Sequence, residues 1–63
     1  MNWQIDARAC WQGESAACAH LYRLFITEWR GSFATARRAL RWHKRPLVDA
    51  LRRGRRAAGN AQT

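Results

Sequence analysis

Acidic side chains are scarce: Asp6, Glu14, Glu28 and Asp49 are the only four in 63 residues, against twelve Lys and Arg, which leaves a formal charge of +8. That excess bears on partners and solubility rather than on fold. Lysine is nearly missing too, with Lys44 alone beside eleven arginines. β-Branched residues are limited to Ile5, Ile26, Thr27, Thr35, Val48 and Thr63, so no strand of useful length is supported. Long apolar runs are absent; Ala16 to Ala19 and Leu24 to Ile26 fall far short of a bilayer span. There are no paired carboxylates, no glycine-rich phosphate loop, and no spacing of nucleophile, base and orienting group, so catalysis is not expected.

Two cysteines, Cys10 and Cys18, and two histidines, His20 and His43, form no zinc-ligand pattern, so neither metal nor cofactor is expected. Asp6 and Arg8 interrupt the N-terminus and no signal-peptide pattern follows. The chain reads as cytoplasmic, which implies reduced thiols, with a Cys10–Cys18 disulfide as the alternative.

What is abundant is Ala, Leu, Arg and Trp. A chain this short buries only about 60% of the surface its unfolded form exposes. The expectation is an all-α bundle of three to four short helices, completed by dimerisation or a partner. One helical domain over 1–58 divides into an apolar, aromatic half (1–31) and a basic half (32–58), with 59–63 as a disordered tail.

Asn2 suits the cap of a first helix from Trp3 to Gln12, with Trp3, Ala7, Cys10 and Trp11 on one face and Gly13 as its stop. The alternation of Trp3, Ile5 and Ala7 offers a short strand as the competing reading. A second helix, Glu14 to Arg30, carries Cys18, Tyr22, Phe25 and Trp29 at steps of four, three and four, widened by Leu21, Leu24 and Ile26. Trp3 and Trp11 are expected to close over Trp29. Ser32 caps a third helix running to about His43, with Phe33, Ala36 and Leu40 inward. After a turn over His43 to Arg45, Pro46 opens a fourth helix to about Ala57, with Leu47, Ala50 and Leu51 inward and Gly54 weakening its last turns.

Leu40, Trp42, Leu47 and Leu51 carry a resemblance. The first would close a helix, the second sit in a turn, and the last two, four apart, hold the next helix to a core. With them, residues 36–53 resemble the helix-turn-helix of bacterial or phage DNA-binding proteins. That family usually places a small residue where this chain has Arg37 and a glycine where it has Arg41. The resemblance implies that His43, Lys44 and Arg45 lie where such modules meet phosphates and base edges.

Eight of the eleven arginines lie beyond residue 36, opposed only by Asp49. One-sided charge of this kind is the footprint of a polyanion binder. The expected nucleic-acid contacts are Arg45, Arg52, Arg53 and Arg56, with Arg37, Arg38, Arg41 and Lys44 steering to the backbone, because a guanidinium binds phosphate or guanine bidentately; His43 joins them through the resemblance alone. DNA is the favoured partner over RNA, and the protein would be a small regulator of bacterial, phage or plasmid origin. A homodimer is a further possibility. The competing readings are a phage- or plasmid-encoded interaction or inhibitor protein that docks on a host protein through Trp3, Trp11 or Trp42, and an RNA- or ribosome-associated protein served by the same basic helices. A membrane role is not expected, because the most apolar helix carries little charge and the basic half has a thin apolar face.

Overall fold

The computed structural model describes residues 3–61, with side chains to residue 59. Over the described residues the protein is an all-α bundle of four helices, α1 (Trp3–Trp11), α2 (Ser15–Thr27), α3 (Phe33–Leu40) and α4 (Lys44–Ala61). Asn2, the expected first cap, lies outside the described residues, and residues 3–11 are helix, not strand.

The α1 helix stops where Gly13 permits it. Gly13 takes φ +100°, its N–H donates to Cys10 O at 2.9 Å, and the Glu14 N–H donates to Ala9 O at 3.0 Å. This pair of bonds is the Schellman arrangement, which satisfies carbonyls that a helix end leaves open. Across the turn, Cys10 and Cys18 are joined in a disulfide with their Cα atoms 4.7 Å apart. The expectation of free, reduced thiols is thereby corrected: the Schellman turn folds α2 back on α1 and brings together two cysteines that each point inward, 2% and 0% exposed. In the chain-entropy picture, closing so small a loop is worth about 2.5 kcal/mol. Reductant, or the Cys10→Ser/Cys18→Ser pair, is expected to lower the melting temperature by about 10–20 °C at unchanged helix content. A thermal scan with and without reductant checks this; coincident curves would remove the bridge from the account.

The core gathers on α2, which packs against α1 on one side and α4 on the other. Leu21, Leu47 and Cys18 are the largest fully buried side chains, surrounded by Ala7, Cys10, Ala17, Trp29, Ala36, Leu40 and Ala50. The expected stripe on α2 holds for Cys18 and Leu21; Tyr22, Leu24 and Phe25 are half-buried and Ile26 is exposed. The helix ends at Thr27 rather than Arg30. Beyond it Arg30 and Gly31 both take positive φ, and this bend turns Trp29 back over the helix end, where it meets Trp3 edge to face at 5.9 Å. Trp11 does not join them. It faces the other way, 62% exposed, against Trp42.

Gly54 corrects the sequence reading most sharply. It does not loosen the end of α4; it is the buried point where α4 crosses α2. A Cβ built on it would stand 2.8 Å from Tyr22 Cβ and 2.9 Å from the Cys18 carbonyl carbon, with the carbonyl oxygen closer still. Only glycine allows so close an approach of two helix backbones. The α4 helix continues through Gly54 to Ala61, taking in residues 59–61 of the expected tail; residues 62 and 63 lie outside the described set. The Cα radius of gyration, 10.4 Å, is close to the roughly 10.6 Å of a compact domain of this length, so one core organises all four helices.

Candidate nucleic-acid interface

The basic half is built on α3, a three-residue turn and α4. Ser32 caps α3, its Oγ accepting from the Thr35 N–H at 3.2 Å, and Phe33, Ala36 and Leu40 follow on the inward side. The helix ends at Leu40, three residues before the expected end, because Arg41 takes the left-handed conformation (φ 59°, ψ 35°) and donates its N–H to Arg37 O at 2.7 Å. A side chain in that conformation costs roughly 1–2 kcal/mol. The turn is held from the side by Arg37, whose Nε donates to Trp42 O at 3.4 Å. Thus the two arginines that depart from the helix-turn-helix pattern sit at the turn itself: Arg41 supplies the backbone conformation usual for glycine, and Arg37 braces the carbonyl after it. Arg41→Gly is expected to stabilise the fold by about 1 kcal/mol through relief of the left-handed strain. Denaturant unfolding measures it; a loss of stability would mean that the Arg41 side chain holds the turn.

The α4 helix begins at Lys44, two residues ahead of expectation. Pro46 is accommodated because the amide hydrogens of a helix's first turn have no partner within the helix. Leu47, Ala50 and Gly54 are buried and Leu51 half-buried, so Ala50 rather than Leu51 shares the deeper contact with Leu47. At about 100° per residue, Arg45, Arg52 and Arg56 fall within roughly 40° of one another, diametrically opposite Leu47 and Gly54. All three are exposed. Asp49 lies on the same ridge between Arg45 and Arg52 and is likewise exposed.

The other expected contact residues disperse. Lys44 and His43 are exposed at the start of α4. Arg38 joins Arg37, Arg41 and His43 around a shallow concavity beside Trp42. Arg53 leaves the ridge and lines a second concavity with Trp11, Trp42 and Asp49. Trp11 and Trp42 pack against each other at a centroid distance of 5.2 Å with planes tilted by 60°. Trp42 is half-buried, so it packs in the turn while showing an edge beside Arg41. Sequence reasoning passed over Arg8 and Gln12, which α1 places across a groove from Arg41 and Trp42. Nothing local to residues 8 and 12 signals that neighbourhood, since it depends on how α1 packs.

His20 Nδ1 stands 3.5 Å from Asp6 Oδ1, an ion pair only when the imidazole is protonated, and it links the outer sides of α1 and α2. Among the described residues no three or more His, Cys, Asp or Glu side chains converge on a common point. No helix among them is long and apolar enough to cross a membrane. Comparison with protein-family models, with curated proteins and with solved structures gave no match.

Proposed function

We propose that this chain is a small basic DNA-binding regulator, acting by binding rather than catalysis, that presents α4 to the major groove of duplex DNA. The observation that carries this reading is the ridge of Arg45, Arg52 and Arg56 directly opposite the buried face of α4, with His43 and Lys44 exposed at its start. The ridge spans about 16 Å of helix at 1.5 Å per residue, a length that can follow a groove about 12 Å wide. The left-handed residue at Arg41, between a short helix and a longer one, also supports a helix-turn-helix reading of residues 36–53. Asp49 gives the ridge selectivity: a carboxylate is repelled by phosphate but accepts a hydrogen bond from the cytosine amino group. The proposed setting is the cytoplasm of a bacterium, or of one carrying a phage or plasmid. The Schellman turn and its apolar contacts hold α1 to α2 alongside the Cys10–Cys18 bridge, so the hairpin does not rest on the disulfide alone in a compartment that disfavours it.

The test is the salt dependence of affinity for a short duplex. Six to ten phosphate contacts make log K fall linearly with log salt, with a slope of about −5 to −9. An affinity unchanged between 50 and 200 mM salt would sink the proposal. Competition with structured RNA distinguishes DNA from RNA as the partner.

A second reading, docking on a host protein, is favoured by the exposure of Ile5 and Trp11 on α1. A partner retained from lysate after nuclease treatment, and lost on Trp11→Ala, would decide for it.

A further inference from the structure

One groove of the molecule is left unused by duplex binding on α4. It lies between α1 and the turn that joins α3 to α4, has a volume of about 600 Å³, and is lined by Arg8, Trp11, Gln12, Arg41 and Trp42 above an apolar floor. Its size falls within the range of roughly 300–1,000 Å³ usual for small-ligand sites. No carboxylate lines it.

We propose that this groove takes one unpaired nucleotide of a nucleic acid whose duplex portion lies along α4, so that the protein recognises a junction between single and double strand; the inference rests on the nucleic-acid reading above. Each part of a nucleotide meets a matching group. An unpaired base needs an accessible aromatic face, and Trp11 supplies one: it rests against Trp42 yet remains 62% exposed. The phosphate needs cationic donors, and Arg8 from α1 and Arg41 from the turn both line the groove. The Gln12 carboxamide can donate to and accept from a base edge. A base inside a duplex keeps both faces stacked on its neighbours, so a blunt duplex offers Trp11 no more than the outer face of a terminal pair, held in place by its partner base and unable to swing into the groove.

Position supports the same occupant. Arg41 is both the rim of the groove and the last arginine before Lys44 and Arg45 open α4. Between the start of α4 and the groove lies the concavity lined by Arg37, Arg38, Arg41 and His43, which shares Arg41 and Trp42 with the groove, so a strand leaving α4 towards the turn meets cations before it meets Trp42 and Trp11. Arg53 and Asp49 flank the Trp11–Trp42 pair from the α4 side, which leaves the approach from the turn as the one lined by cations alone.

The test is fluorescence anisotropy of the full chain with two labelled DNAs of the same duplex sequence, one blunt and one with a short single-stranded overhang. The overhang DNA is expected to bind about tenfold tighter, the effect of stacking one base on an aromatic side chain. Trp11→Ala is expected to abolish that preference while the blunt duplex keeps its affinity within about twofold, and Trp11→Phe to retain most of it. Arg8→Gln, at an exposed position outside the core, provides a second variant and is expected to reduce the preference about threefold. Equal binding of the two DNAs by the unaltered chain, or a preference that survives Trp11→Ala, overturns the groove assignment alone. Failure to bind either DNA overturns the nucleic-acid reading with it.

Discussion

Replacing Gly54 by alanine is expected to destabilise the fold by about 2–3 kcal/mol, although alanine in a helix interior usually gains up to about 1 kcal/mol over glycine. The sign is set by space. The added methyl would fall inside van der Waals contact of the Cys18 carbonyl and of Tyr22 Cβ. These are backbone and backbone-proximal atoms of α2, which cannot swing aside as the end of a long side chain can, so the whole α2–α4 crossing must open. Opening it thins the contacts of Leu21, Leu47 and Ala50 together. A 63-residue chain has about 3–9 kcal/mol of stability in total, so Gly54→Leu is expected to abolish the cooperative transition. Gly59 provides the control. Nothing lies within 4 Å of a Cβ built there, and Gly59→Ala is expected to raise the melting temperature by a few degrees. Thermal melts followed by circular dichroism measure all three variants. A Gly54→Ala protein as stable as the parent would mean that the helices do not cross at that residue.

The second large effect is expected on binding. Exchanging Arg45, Arg52 and Arg56 together for glutamine should weaken duplex affinity at least a hundredfold at moderate salt and reduce the slope of log K against log salt by about 3. Net charge alone would also weaken binding, so location has to be separated from charge. Arg23, Arg30 and Arg55 are exposed elsewhere: on α2, in the bend after it, and on the flank of α4 away from the ridge. Their triple exchange removes the same charge. It is expected to cost less than tenfold, through the weakened long-range field. If both triple variants lose affinity equally, binding is diffuse attraction and the ridge has no special part in it.

How far the sequence revealed this arrangement depended on whether a signal was local. The helices were legible because apolar spacing, the Gly13 stop and the Ser32 cap act within a few residues. Arg45, Arg52 and Arg56 could be placed on one side of a helix for the same reason. Their common ridge required only that Leu47 and Ala50 face inward. Gly54 was misread because its role depends on Cys18 and Tyr22, more than thirty positions away, whereas helix propensity counts only what glycine costs its own helix. Arg41 was misread for a related reason. Its left-handed φ follows from the demand that Leu40 end α3 and Leu47 return to the core within seven residues, and local preference yields to that demand. The disulfide was weighed from compartment and spacing, whereas what decides it is the direction in which the Schellman turn sends the chain.

That turn and its bridge also bear on the order in which the protein acquires its shape. Cys10 and Cys18 are eight residues apart, whereas the Gly54 crossing joins segments separated by 36. Short loops close on a timescale of about 10–100 ns, and longer closures carry a greater entropic cost. In the oxidised chain the α1–α2 hairpin is already tethered before folding begins. The search that remains is for α4 to find its groove on α2, with α3 delivered by the same movement. Oxidation therefore removes the faster encounter and leaves the limiting one in place, and that late encounter passes through a single glycine.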